Sequence, residues 1–255
     1  MEVIILPSEK DCAKLGGQLI FDLVKENPAC VLGLATGSTP VSLYKELIRL
    51  HKENDLSFFN VTSFNLDEYI GLSGDHPCSY RYFMQEQLFD SVDINLKSTH
   101  VPNGLANNIE AECDSYEQSI LEVGGIDLQI LGIGSDGHIG FNEPCSSLSS
   151  RTRMKTLTGE TIKDNARFFE TEDDVPRHCI TMGVGTILDT KSVLLFAFGA
   201  GKSDIIAKAV EGPISSMVPA SALQLHPKVK VILDDAAASK LVNIDYYKEV
   251  YANRP

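Results

Sequence analysis

The chain has 255 residues, enough for one large domain or two small ones, and its 43% hydrophobic and 22% charged content is that of an ordinary soluble globular protein. A net charge of −13 makes nucleic acid and anionic membrane surfaces poor partners. Six scattered cysteines, with no CxxC pair among them, read as reduced thiols and exclude a disulfide framework or a zinc site.

The chain opens with MEVIILPSEK, an acid at position 2 and a short apolar run ended by Pro7, which is not a secretory pattern. The longest apolar run, SVLLFAFGAG, is too short to span a bilayer, so the expected location is the cytosol. Residues 2–6 predict a strand, followed by a helix from Ser8 to Glu26 with Ser8 as its N-cap. Cys30 to Ala35 predicts a buried strand. The TGST turn then leads into a helix with Pro40 in its first turn. Val61 to Leu66 is the next strand, and helices are expected over Ser79–Phe89 and Ile109–Glu122. Ile126–Gly134 and Ser192–Gly199 predict further strands. The segment GKSDIIAKAVEG predicts a helix closed by Gly212, and Val229–Asp234 a last strand. Near-continuous apolar strands alternating with helices imply a mostly parallel sheet with helices on both faces. The expected architecture is a single Rossmann-like α/β domain, with no internal repeat and no linker.

In such a sheet ligands bind beyond the carboxyl ends of the strands. Four predicted strands end there in chemically useful residues: Thr36-Gly37-Ser38-Thr39, Asp67-Glu68, Gly134-Ser135-Asp136, and Gly199 to Lys202. The first turn offers hydroxyls, a glycine for close backbone approach and a helix start, a combination that suits an anion as well as an ordinary capped turn. Gly201-Lys202-Ser203 looks like a nucleotide loop, but Phe196 occupies the position of its first glycine. It reads equally as a phosphate-holding turn and as a capping turn with an exposed lysine. Asp67 follows the apolar strand directly, where a base is useful, and Glu68 reads as a bystander or an orienter.

The stretch LGIGSDGHIGFNEP carries Asp136, His138 and Glu143. Its Gly132-x-Gly134-x-x-Gly137 pattern matches a dinucleotide fingerprint only on paper, since Pro144 disfavours a helix opening within it. A metal set lacks a second histidine at ligand spacing, and Ser135 and Ser146 lack the elbow of a nucleophile. The favoured reading is an acid/base histidine oriented by carboxylates, against a structural histidine bonded to backbone.

Taken together, LGLATGSTP, FNLDEYIGL, LGIGSDGHIGFNEP, SSRTRMKTLT, NARFF and ASALQLHP resemble the glucosamine-6-phosphate deaminase family from near the N-terminus to about Leu233. The related 6-phosphogluconolactonases share the DGH turn but lack Asn142-Glu143 and DEYIGL. The resemblance implies an aldose–ketose isomerisation coupled to loss of the 2-amino group, with a small-molecule substrate and no metal or organic cofactor. It implies that Thr36, Gly37, Ser38, Thr39, Arg167 and Lys202 hold the substrate phosphate, while Asp67, Asp136 and Glu143 surround the amino end. His138 would open the pyranose ring, Glu143 with Asp136 would orient it, and Asp67 would move the proton from C2 to C1. Ser146, Arg153 and Lys155 match the basic part of an activator site for N-acetylglucosamine 6-phosphate in longer, hexameric members. The tail ending at Pro255 does not match their activator-binding tail, and short members of the family can be monomers, so both a monomer and a homo-oligomer stay open. A deaminase for an epimeric amino sugar, a lactonase and a sugar-phosphate sensor are the alternatives. The sensor fits least, because no basic helix-turn-helix accompanies the domain and both Asp67 and His138 are present.

Overall fold

The computed structural model describes residues 1–254, apart from the side chains of residues 160 and 164. In chain order its strands are β1 (Glu2–Leu6), β2 (Val31–Leu34), β3 (Thr62–Asn65), β4 (Asp67–Tyr69), β5 (Thr99–His100), β6 (Leu128–Leu131), β7 (Arg153–Thr156), β8 (His178–Thr181), β9 (Val193–Ala197) and β10 (Val229–Asp234). The helices are α1 (Glu9–Glu26), α2 (Val41–Asn54), α3 (Tyr80–Gln87), α4 (Ile109–Glu122), α5 (Gly159–Asn165), α6 (Val184–Leu188), α7 (Ser203–Val210), α8 (Asp235–Ala238) and α9 (Ile244–Ala252).

Seven strands pair in parallel in the order β1-β10-β9-β6-β2-β3-β5. Strands β2, β6 and β9 are buried along their whole length, which is why they read as unbroken apolar runs rather than alternating ones. Helices cover both faces. Phe196 of β9 meets α1, where an added Cβ at Gly16 would come within 2.6 Å of its ring. Gly17 packs as closely on Glu46 of α2, so the glycine pair lets α1 lie against sheet and helix at once. On the opposite face Tyr116 of α4 stands edge-on to Phe64 of β3 and donates its hydroxyl to the Asn65 carbonyl at 2.7 Å.

The elements agree with the sequence expectation to within a few residues, with Ser8 capping α1 by accepting from the Asp11 amide. The helix expected over Ser79–Phe89 stops at Gln87 and tightens into a 3₁₀ turn, Phe89–Ser91. A second, three-stranded sheet in the order β4-β8-β7 was not expected. Its pairs are antiparallel, with Asp67 opposite Thr181 and Arg153 also opposite Thr181 on the other side. Both β4 and β7 are short and charged, so neither carries a strand pattern of its own. Tyr69, Phe141, Leu157, Val175 and Cys179 form a separate small core beside this sheet.

Candidate active site

Strands β9, β6, β2 and β3 are neighbours, so the four motif-bearing strand ends share one edge of the sheet. A cavity of about 300 Å³ opens there. The turn after β2 supplies Thr36, Gly37, Ser38 and Thr39, with Gly37 in the left-handed region at φ 88°. The fully buried Tyr44 pins this turn by donating its hydroxyl to the Ala35 carbonyl at 2.6 Å. Lys202 lines the cavity from the 3₁₀ turn Ala200–Lys202 before α7. That turn is anchored where the Gly199 amide donates to both carboxylate oxygens of Asp234, at 3.0 and 2.9 Å. Arg167 reaches the cavity from the 3₁₀ turn Ala166–Phe168 that follows α5. All six residues expected to hold an anion therefore line one cavity.

Asp67 lines the same cavity. After β3 the chain leaves the main sheet at Leu66, whose carbonyl accepts from the Met182 amide at 2.7 Å, and Asp67 begins the second sheet. The residue is 5% exposed. Burial, with the charge of Glu68 added, pushes it well above the usual carboxylate range.

His138 enters from the loop after β6. The loop is tight: the Gly134 amide donates to the His138 carbonyl at 2.9 Å, and Gly137 takes φ 92°. The imidazole lies directly over Gly134, where an added Cβ would sit 2.2 Å from Cε1. Its Nδ1 is 2.7 Å from Oδ1 of Asp136, which also accepts from the His138 amide at 3.0 Å. The ring contact is close, though Nδ1 falls short of hydrogen-bond alignment. Burial alone would raise Asp136, but the bond and charge of His138 outweigh it and hold the carboxyl below its ordinary value.

Two of the expected residues stand back from the cavity. Asp136 and Glu143 are not among the residues that line it. No hydrogen bond or ion pair joins Glu143 to His138 among the described residues. Buried to 3% exposure, Glu143 instead accepts from the Thr158 amide at 3.0 and 3.1 Å and from its hydroxyl at 3.1 Å. Thr158 is the N-cap of α5. The loop between His138 and Glu143 is knitted to β8: Phe141 donates to Oγ1 of Thr181 at 3.0 Å, and Nδ2 of Asn142 to the Met182 carbonyl at 2.7 Å. At Gly140 a Cβ would come within 3.3 Å of Oδ2 of Asp67, so the histidine loop runs against the aspartate strand.

Tyr80, Phe141, Thr161 and Asn165 also line the cavity, and sequence reasoning did not single them out. Tyr80 follows the N-cap Ser79, and Thr161 follows the N-cap Thr158, so capping patterns would have flagged both helix starts. Ser146, Arg153 and Lys155 do not line this cavity. Ser146 is buried, Arg153 donates from Nη1 to Oδ1 of Asn142 at 2.9 Å, and Lys155 pairs in register with Cys179. Pro255, the end of the tail considered for the activator, lies outside the described residues. No helix among the described residues is long and apolar enough to cross a membrane.

Residues 9–232 match the family model described as glucosamine-6-phosphate isomerases/6-phosphogluconolactonase. The glucosamine-6-phosphate deaminase of Hahella chejuensis is 56% identical over 98% of this chain and 95% of its own length. That of Clostridium perfringens is 49% identical over 94% of this chain and its full length. The solved structure of a monomeric glucosamine-6-phosphate deaminase superposes with a TM-score of 0.92 at 46% identity, covering 94% of this chain and all of that one. A Trypanosoma brucei 6-phosphogluconolactonase shares the fold, with a TM-score of 0.74 at 20% identity over 94% of this chain and 98% of that one.

Proposed function

The chain belongs to the glucosamine-6-phosphate isomerase/6-phosphogluconolactonase family, and we propose that within it the protein is a glucosamine-6-phosphate deaminase, converting glucosamine 6-phosphate and water to fructose 6-phosphate and ammonia. One observation carries the reading: Asp67 and His138 open into the same cavity as the Thr36–Thr39 turn, Arg167 and Lys202. A substrate with a phosphate at one end and a reacting carbon near the other needs both sets of groups in one cavity.

The phosphate is held by the Thr36–Thr39 turn with Lys202 and Arg167, where hydroxyls, backbone and two cations meet the overall negative field locally. His138 moves the proton that opens the pyranose ring. The Asp136 carboxylate beside Nδ1 stabilises the imidazolium that forms. Asp67 then takes the proton from C2 of the open-chain form, and the electron pair of that bond becomes the double bond of an enol-type intermediate. The same carboxyl returns a proton at C1. The imine at C2 adds water and expels ammonia, which leaves the ketone. A buried carboxyl held above its ordinary range makes a stronger base than a solvated one, and the ammonium of the substrate draws it to the ionised form on binding. A lactone offers no C2 proton that must be removed, so a cavity-facing Asp67 favours the deaminase over the lactonase.

The test is an assay of ammonia release from glucosamine 6-phosphate by purified protein. Stoichiometric ammonia and fructose 6-phosphate are expected. Hydrolysis of 6-phosphogluconolactone without ammonia release from the amino sugar would contradict the reading. Galactosamine 6-phosphate in the same assay reads selectivity between epimers. Added N-acetylglucosamine 6-phosphate reads whether Ser146, Arg153 and Lys155 serve an activator.

A further inference from the structure

Strand β4 places two adjacent carboxyls in very different surroundings. Asp67 faces the cavity, and no N–H or O–H of the described residues donates to it. Glu68, 2% exposed, points the other way and accepts three amides: Tyr69 at 2.8 Å and Tyr80 at 2.9 Å on Oε1, and Arg81 at 2.9 Å on Oε2. Tyr80 and Arg81 are the first two residues of α3, so this carboxylate closes the helix start and sits at the positive end of the helix dipole. Through those bonds it also fixes Tyr80, whose ring stacks on Phe141 at 5.9 Å and borders the cavity beside Asp67.

We infer that Glu68 is a positioning residue for the reaction: it holds its negative charge on the amides of α3 and thereby leaves the last proton of the pair on Asp67, the member that faces the substrate. Two neighbouring carboxyls titrate as a unit, and the one with more donors ionises first. Burial raises Glu68 and its three amides offset part of that rise, whereas nothing offsets burial at Asp67. The other titratable groups close enough to feel Asp67 are Tyr69 of β4, Tyr80 of α3, Tyr116 of α4 and Cys179 of β8, all pushed upward by burial and therefore uncharged at working pH. His138, Arg167 and Lys202 line the same cavity. Glu68 is thus the adjacent negative charge that strengthens the base, and the inference rests on the reading of Asp67 as that base.

Two variants separate charge from position. Glu68→Gln keeps an acceptor for α3 and removes the charge. The acidic limb of its kcat/KM profile is expected to move to lower pH, kcat at the plateau to fall about 3- to 10-fold, and KM to change little. Glu68→Asp keeps the charge and shortens the reach, so its limb should stay nearer the wild-type position while kcat falls. Substrate ionisations are common to all profiles and cancel. The ¹³C shift of the Asp67 carboxyl, assigned by its loss in Asp67→Asn, reads the same titration in folded protein without turnover. A lower titration midpoint for Asp67 in Glu68→Gln supports the inference. An unmoved midpoint overturns it, even if kcat falls. Full activity in Asp67→Asn would instead overturn the assignment of the base, which is a separate result.

Discussion

At the scale of single residues the site depends on a few close approaches. Gly134 is one. Its Cβ position falls 2.2 Å from Cε1 of the His138 ring, so Gly134→Ala must displace the imidazole. We expect turnover to drop by about 10²- to 10⁴-fold, the range of one proton-transfer role, with only a small change in Tm; steady-state kinetics and calorimetry check both. Asp67 gives a prediction about stability as well as rate. Its folded pKa lies above its unfolded value, so as pH rises the unfolded chain releases this proton first. Stability therefore falls with rising pH between the two values, and the loss remains in full above the higher one. Asp67→Asn removes that penalty. It should melt above wild type near neutral pH, by about 2–4 °C for each kcal/mol recovered, and the gap should close as pH falls towards the ordinary carboxylate range. Lys202→Ala should mainly raise KM, since it weakens the hold on the non-reacting phosphate; initial rates over a range of substrate concentration decide, and an unchanged KM would count against the assignment. Of these residues Asp67, His138 and Lys202 were legible because each ends an apolar strand. The partners of Glu143 and Glu68 were not, since a helix cap and three backbone amides from distant segments leave no mark on local spacing.

At the scale of elements, the parallel strands and long helices were legible from apolar runs, capping residues and terminal glycines. The small antiparallel sheet was hidden because its strands are three or four residues long and begin or end on charge. That sheet starts with Asp67 and carries, on β8, the Thr181 that secures the loop after His138. Asp67 and the loop that follows His138 are thus tied to one structural unit outside the main sheet. The second consequence concerns α5. Glu143 holds its N-cap, and the helix with the turn after it brings Thr161, Asn165 and Arg167 to the cavity. Hydrogen bonds to a charged group contribute about 1.5–3 kcal/mol. Glu143→Ala leaves the Thr158 cap bond to Thr161 but releases Thr158 itself, so it should raise KM by about 10-fold, and Glu143→Gln, which keeps one acceptor, should recover part of it. The limb of the pH profile that reports His138 should not move in either variant. A shifted limb with unchanged KM would instead support the role expected from the sequence, in which Glu143 orients the imidazole.

At the scale of the whole molecule, chain order and strand order explain why distant motifs act together. Segments near residues 36, 67, 138 and 202 follow β2, β3, β6 and β9, which stand side by side with their carboxyl ends on one edge. The motifs and the parallel sheet were both legible, so their convergence was too; the division of labour among the carboxylates was not, because it depends on burial and on which amides reach each oxygen. The net charge of −13 adds that an anionic substrate is drawn in by local groups against the general field. The central claim is that Asp67 carries the C2 proton. It is tested most directly with glucosamine 6-phosphate deuterated at C2, following label at C1 of the product and in water for wild type and Asp67→Asn. Wild type should show a primary isotope effect and move the label from C2. Asp67→Asn should bind the substrate yet leave the label in place. Label leaving C2 at the wild-type rate in Asp67→Asn would contradict the account.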